Sequence, residues 1–464
     1  MKSSLKFSQL GDEFYAQVQP IKLEKSHLVH VNEGLKTSLN INLDDKELLG
    51  ICAGEKRVES TKPLSTIYAG HQFGHFVPQL GDGRSCLIGE ANGYELSLKG
   101  AGPTPFSRGA DGLAVLRSSI REYLCSIAMV GLNIPTTEAL AIVGSDSDVY
   151  REHVESAAIV TRVAQSHIRF GHFELFASRS QHSEVKKLAD FVIENYYPHL
   201  GVEDKDSYLS LFKTVVHSTA IMIARWQAQG FAHGVMNSDN MSILGLTIDY
   251  GPFGFMEKYN PGFVCNHSDH QARYSFERQP SVALWNLQRL ADALSSLIDK
   301  EKLGEALEGY QVSLVKEYSS IMRRKFGLAD ITKGDSDLIN DFLQLLYSRG
   351  KDYSNSMRSL SQHGVNSLGD AFDSWFERYN ERLQSETTSS DERALMMNSV
   401  NPKFILRNYL AEVAIRKAED LYQYDEIETL FNLLKKPFDE NPGFEAYTNE
   451  APDWAKNLSV SCSS

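Results

Sequence analysis

Residues 233–240 read His-Gly-Val-Met-Asn-Ser-Asp-Asn, and Ile248-Asp249-Tyr250-Gly251 follows shortly after. In phosphoryl-transfer loops of the form H-x-D-x-x-x-x-N ahead of D-F-G, the first Asp takes the acceptor hydroxyl's proton, while the Asn and the second Asp hold metal. His233 and Asn240 keep that spacing and Asp249 heads the second motif, but the position two after the histidine is Val235. Asn240 and Asp249 are hard oxygen donors suited to Mg2+ bridging nucleotide phosphates. The nine-residue step between them fits a short hairpin made of 241–244 and 246–249. A chain that keeps its metal ligands but has an aliphatic base position is either inactive or carries out a different transfer. Asp239 is the carboxylate nearest that position. It could accept a proton directly or through water, or it could brace the loop by hydrogen bonding. His233 reads as a packed loop residue rather than a base.

The elements needed to position such a loop lie upstream. Ser85–Glu90 and Tyr94–Lys99 read as two strands joined through Asn92-Gly93, a pair that favours the positive φ angles of a tight turn. Gly81-Asp-Gly83-Arg84 precedes them, where glycines let backbone amides approach phosphate oxygens. From Leu113 to Val130, apolar residues recur at three- and four-residue steps, which predicts an amphipathic helix closed by Gly131 and carrying Glu122 off the apolar stripe. Lys99 at a strand end and Glu122 on the next helix follow the order of the kinase lysine and its ion-pair partner. The runs 139–144 and 157–163 complete a small mixed sheet. Arg84, Arg162 and Arg169 could together form a cationic cluster for a phosphate chain, since Arg favours bidentate contact. Past Val185 the pattern is mostly helical, including Tyr208–Gln229 and nearly everything from Ser281 to about Leu434, before an irregular tail.

Bulk properties bound the reading. A chain of 464 residues with 42% hydrophobic content supports a two-lobed body with additional elements. A formal charge of -13 argues against a general nucleic-acid binder, so any phosphate chemistry falls to local cations. Residues 1–19 have neither a signal-peptide core nor an Arg-rich transit pattern. No apolar run approaches the roughly 18 residues a membrane span needs, which makes the cytoplasm the expected location. The five cysteines, Cys52, Cys86, Cys125, Cys265 and Cys462, show no C-x-x-C spacing, against zinc-ribbon and thioredoxin-like sites. Tyr68–Phe76, rich in His, Gly and Phe, receives no chemical role.

The longer motifs are specific: Lys99-Gly-Ala-Gly-Pro-Thr-Pro-Phe-Ser-Arg108, Asp111-Gly112, Leu116–Glu122, Ile168–Phe173, His233–Asn240, Asp249–Phe255, Cys265–His270 and the closing Cys-Ser-Ser. Together they resemble the selenoprotein O family of pseudokinases over nearly the whole chain. The resemblance implies an α+β, bilobal protein-kinase-like fold with a small mixed N-lobe, a large helical C-lobe and a C-terminal helical extension. The divisions expected are an N-terminal extension (1–80), an N-lobe (81–175), a catalytic C-lobe core (176–280) and a helical region with a cysteine-containing tail (281–464). It also implies a protein adenylyltransferase in which ATP binds turned round, so that AMP passes to Ser, Thr or Tyr hydroxyls of protein partners; UMP transfer from UTP with Mn2+ is described for some members.

Carried onto this sequence, Gly81, Gly83, Arg84, Lys99, Asp111, Gly112, Arg162, Arg169 and Asp249 would contact nucleotide. Asn240 and Asp249 would bind Mg2+ or Mn2+, Asp239 would accept the proton, and Glu122 would pair with Lys99. The resemblance further suggests that Cys265 pairs with Cys462 under redox control. Closing so long a loop is worth roughly 5 kcal/mol in the chain-entropy model, and in a reducing compartment such a bond acts as a switch rather than a staple. Gamma-phosphate transfer with Asp239 as substitute base, and a non-catalytic nucleotide-binding scaffold, are the competing readings.

Overall fold

In the strands around Lys99, successive side chains enter different cores. Leu87 joins one apolar cluster, while Cys86 and Ile88 join another; on a later strand Ala158 and Val160 face the first, with Ala157 and Ile159 facing the second. This alternation is the period-2 pleat of a sheet buried on both faces. The computed structural model describes residues 5–59, 61–202, 206–363, 368–458 and 460.

Nine strands build the sheet: β1 (Tyr15–Gln17), β2 (His27–Val31), β3 (Leu64–Gln72), β4 (His75–Gly81), β5 (Ser85–Ala91), β6 (Tyr94–Lys99), β7 (Ala114–Val115), β8 (Glu138–Tyr150) and β9 (Val154–Ala164). Their order is β1-β3-β5-β6-β9-β8-β2, with β4 paired to β3 and β7 to β9. Every pairing is antiparallel, which corrects the expectation of a small mixed sheet. The reason lies in the connections. β3–β4, β5–β6 and β8–β9 are linked by short turns, and short turns can only reverse a strand. The β5–β6 turn is the expected one, with Asn92 at φ 48° and Gly93 at φ 85°. Strands β1 to β4 lie before residue 82, so the sheet draws strands from both sides of residue 80.

Helices α1 (Glu33–Ser38) and α2 (Asp45–Cys52) cover one face through Leu35, Leu48 and Cys52. On the other lies α3 (Leu116–Gly131), whose Ile120, Leu124 and Ile127 continue into the larger core. The expected helix is therefore present, although its first residues pair as β7. That core is shared with α4 (Phe170–Ser178), α5 (His182–Tyr196), α6 (Ser207–Ala228), α7 (Gln279–Leu294) and the start of α8 (Lys300–Lys325).

A third cluster joins the end of α8 to α9 (Asp335–Arg349), α10 (Tyr353–His363), α11 (Asp373–Leu383) and α12 (Ser390–Asn398). Finally α13 (Asn408–Leu421) and α14 (Asp425–Lys435) return to pack on α3. Among the described residues no helix is long and apolar enough to cross a membrane.

The segment between Asn240 and Asp249 is not a hairpin. Ser242 bridges to Arg169 and Thr247 bridges to Thr136, so the segment is held by two different neighbours rather than by itself. A separate two-stranded ladder, β10 (Phe231–Ala232) with β11 (Gly254–Phe255), closes the base of the whole loop. Cys462 lies outside the described residues.

Candidate active site

Lys99, the last residue of β6, is pinned between two carboxylates. Its Nζ lies 2.8 Å from Glu122 Oε2 on α3 and 2.9 Å from Asp249 Oδ1. Asp249 Oδ2 in turn receives Arg169 Nη1 at 2.6 Å, and the same guanidinium nitrogen reaches Asn240 Oδ1 at 3.3 Å and the Asp239 carbonyl at 3.0 Å. Burial alone would raise the Asp249 carboxyl, but the charges of Arg169 and then Lys99 outweigh it and hold the group well below the usual carboxylate range. Asp249 is thus a permanent anion. It sits at φ 61°, a left-handed conformation that Asp tolerates better than most residues.

These groups lie in a cleft of about 620 Å³ whose walls include Gly81, Gly83, Arg84, Lys99, Asp111, Gly112, Arg169, Val235, Asp239, Asn240 and Asp249. Ten of the predicted site residues therefore converge on one space. Arg162 and Glu122 do not line it. Arg162 stands behind the lysine, its Nε 3.4 Å from Glu122 Oε1 and its Nη2 donating to the Thr137 carbonyl at 2.7 Å. It shares with Lys99, Glu122, Arg169 and Asp249 a small void of about 30 Å³, enough for a water but not a phosphate. Arg84, Arg162 and Arg169 are accordingly not one cluster: Arg84 is at the open cleft wall, Arg169 on its floor and Arg162 behind it.

The loop before β5 is held from above. Thr104 Oγ1 donates to the Asp82 carbonyl at 2.8 Å, and Ser107 Oγ donates to the Gly83 carbonyl. Asp82 accepts from both the backbone and the hydroxyl of Thr66, at 3.0 and 2.7 Å. Gly112, at φ 69°, passes so close to Gly102 that a Cβ there would meet the Gly102 carbonyl oxygen at 2.2 Å, so only glycine fits. Asp111 is gripped bidentately by Arg151, at 2.7 and 3.0 Å, and this bond draws its carboxyl below its ordinary value. Among the described residues the Arg84 guanidinium has no side-chain hydrogen-bond partner, leaving its donors available to an anion.

The histidine of the motif is structural, as its sequence position suggested. His233 Nε2 meets the Ile248 carbonyl at 2.8 Å, its ring stacks on Trp226 at 5.2 Å, and burial lowers its basicity. Asp239 behaves differently. Its Oδ2 accepts from Gln72 Nε2 at 3.1 Å, while Oδ1 is buried without a hydrogen-bond partner. Burial pushes this carboxyl up to about 6. Gly70 makes room for it, since a Cβ at that position would stand 2.6 Å from Oδ1.

The β3–β4 hairpin, to which the sequence reading gave no role, forms the lip of the cleft. His71 N donates to Ser238 Oγ at 2.7 Å, and Phe73 N donates to Tyr274 Oη at 2.9 Å and Asn237 Oδ1 at 3.2 Å. The β-favouring run Thr66-Ile67-Tyr68 was a signal for a strand there. Nothing local shows that its partner is a loop 167 residues downstream.

Asn240 Oδ1 and Asp249 Oδ2 both touch one cationic nitrogen, so two hard oxygens already share a single point, as a divalent-cation site requires. Among the described residues no group of three or more His, Cys, Asp or Glu side chains could hold a metal by itself. The pair therefore fits an ion whose other ligands come from phosphate and water, the usual habit of Mg2+.

A family model described as protein adenylyltransferase SelO matches residues 1–436. Proteins named protein nucleotidyltransferase YdiU are similar along their full length. That of Thiobacillus denitrificans is 49% identical, with 99% of this chain and 98% of the relative covered. That of Vibrio vulnificus is also 49% identical, covering 100% and 99%, and that of Enterobacter sp. is 48% identical, covering 97% of each. A family match over most of the chain and full-length relatives at nearly half identity agree: the chain belongs to the SelO family of protein adenylyltransferases.

Proposed function

We propose that this protein transfers AMP from ATP to hydroxyl side chains of acceptor proteins, in a kinase-like bilobal frame whose cleft lies between the sheet with α3 and the helices that follow. The observation that carries this reading is the pairing of Val235 with Asp239 in one cleft: no base stands at the usual place, yet a buried carboxyl lies four residues on in the same loop motif, at Asp239, with one oxygen unpartnered. N-lobe, catalytic core and helical region divide near residues 175 and 280 in this reading, and the cytoplasm is its setting.

The transfer breaks the bond between the α-phosphorus and the oxygen bridging to the β-phosphate. The acceptor oxygen bonds to that phosphorus and pyrophosphate leaves. Asp239, ionised at neutral pH because it titrates at about 6, takes the acceptor's proton. Lys99 and Arg169 supply positive charge at the cleft floor, where a turned-round ATP would place its outer phosphates, with Arg162 behind them holding Glu122. Gly81, Gly83 and Arg84 contact the nucleotide from the wall, and Asp111 and Gly112 shape the loop above it. Asn240 and Asp249 would hold Mg2+ or Mn2+; when bound, the ion offsets phosphate charge and polarises the phosphorus–oxygen bonds. UTP with Mn2+ is a further donor to test.

The tail also belongs to this reading. His267 N donates to the Val460 carbonyl at 3.0 Å, which brings a residue two beyond Cys265 to a residue two before Cys462. This proximity supports a redox-controlled Cys265–Cys462 bond.

ATP labelled at the alpha or the gamma phosphate, incubated with acceptor protein and Mg2+ or Mn2+, tests the function. Alpha label retained on protein is the expected result. Gamma label would instead assign phosphoryl transfer, and metal-dependent ATP binding without any transfer would assign a scaffold.

A further inference from the structure

Phe73 is a bulky residue at φ 50°, at the tip of the β3–β4 hairpin. That conformation is unfavourable for such a side chain, and it persists because the Phe73 backbone is tied to Asn237 and Tyr274. The ring nevertheless remains 37% exposed and lines the same cleft as Gln72 and Asp239. A strained residue held rigidly with its aromatic face in solvent, at the mouth of a catalytic cleft, is strain kept in place where a ligand arrives.

The surroundings of this ring form a continuous surface. Phe73 lies against Tyr274 at 5.1 Å, and Phe76, 39% exposed, lies against His71 at 5.0 Å, which in turn meets Trp285 at 5.2 Å. Arg273 spans the middle: its guanidinium stacks on Trp285 at 4.8 Å, and a Cβ added at Gly74 would stand 3.2 Å from its central carbon. Arg273 forms no ion pair with a carboxylate among the described residues, whereas neighbouring Arg289 has Asp292 at 3.2 Å. The ledge thus combines exposed aromatic faces with an uncompensated cation on a chain of net charge -13.

We propose that this ledge docks the acceptor protein: the residue beside the acceptor hydroxyl packs on the Phe73 ring, and acidic residues beyond it meet Arg273. The occupant is an extended segment with an apolar side chain next to the hydroxyl and carboxylates following it. Continuity with the cleft argues for this occupant, because Gln72, the residue before Phe73, is bonded to the proposed proton acceptor. Phe73 and Asp239 line the same cleft, so in this proposal a segment lying on the ledge would lead toward Asp239. Rigid aromatic faces and arginines are the side chains that supply most of the binding energy in protein recognition.

The inference rests on the adenylyl-transfer reading and deepens it by naming the acceptor. Two synthetic peptides test it, one with leucine beside a central threonine and glutamates after it, the other with glycine and lysines in those places. Rates with alpha- and gamma-labelled ATP are compared for the wild type, Phe73→Gly, Phe73→Tyr and Arg273→Gln. Glycine accepts φ 50° without strain, so Phe73→Gly keeps the turn, and its melting temperature checks that.

The expected result is a KM for the leucine–glutamate peptide about tenfold below that of the other. Phe73→Gly and Arg273→Gln each reduce that advantage without abolishing it, Phe73→Tyr restores it, and the KM for ATP stays within about twofold throughout. Equal KM values for the two peptides in the wild type overturn the proposal. So does a Phe73→Gly effect confined to the KM for ATP, which would make the ring a nucleotide contact. Transfer of gamma rather than alpha label would sink the adenylyl reading instead, while the order of peptide KM values would still judge the ledge.

Discussion

Gln72 Nε2 donates to Asp239 Oδ2 across 3.1 Å, joining the lip of the cleft to the carboxyl proposed as its proton acceptor. The bond favours the ionised carboxylate and so opposes the burial that raises this group. Gln72 therefore sets how acidic the medium can become before Asp239 is protonated and unable to accept a proton.

With Asp239 titrating at about 6, kcat for transfer should fall below pH 6, approaching tenfold per pH unit. Gln72→Met removes the donor at similar volume and should move this limb toward neutral pH. A profile of kcat against pH for both proteins checks it; an unshifted limb in the variant means another group is being titrated.

Asp239 also imposes a stability cost. Its carboxyl titrates near 3.9 when unfolded and at about 6 in the fold, so protonation stabilises the native state and that stabilisation is lost as pH rises through 6. Asp239→Asn escapes this loss. Its melting temperature should exceed that of the wild type at pH 7, by up to about 3 kcal/mol in stability, and the margin should shrink toward pH 4. Its kcat should drop by about a hundredfold or more, with nucleotide affinity largely kept.

Asp249 compensates two buried cations, Lys99 and Arg169, and is one of the two oxygen donors proposed to hold metal. Asp249→Ala should abolish transfer, with a loss of at least about a hundredfold, and chelation of divalent ions should do the same to the wild type. Metal-dependent binding of a fluorescent ATP analogue gives an independent readout. Retention of full activity in the variant would remove Asp249 from the site.

Glu122 stands between Lys99 and Arg162, and its side chain is only 6% exposed. Glu122→Gln keeps the shape but leaves Lys99 with Asp249 alone and Arg162 with no carboxylate partner among the described residues, so stability should fall by about 3–5 kcal/mol. Urea unfolding measures this. A loss below about 1 kcal/mol would mean that solvent reaches the group.

If the tail cysteine controls activity, oxidant should change the transfer rate of the wild type but not of Cys265→Ser or Cys462→Ser, and each variant should behave like the reduced protein. An unchanged oxidant response in both variants rules the switch out.

The sequence by itself determined the candidate positions that depend on local spacing. His233, Asn240 and Asp249 were legible because a loop motif is written in consecutive residues, and Lys99 and Glu122 because a strand end and a helix face carry periodic signals. The tight Asn92-Gly93 turn and the long helices followed for the same reason. The tertiary structure decided what depends on pairing between distant segments: the antiparallel sheet, the place of Arg162 behind Glu122 rather than in the cleft, and the docking of Gln72 and Phe73 onto residues 237–239. It also replaced the expected hairpin between Asn240 and Asp249 with bridges to Arg169 and Thr136. Backbone partners and burial are set by segments far apart in the chain, and no local pattern encodes which segment a strand edge or a buried carboxyl will meet.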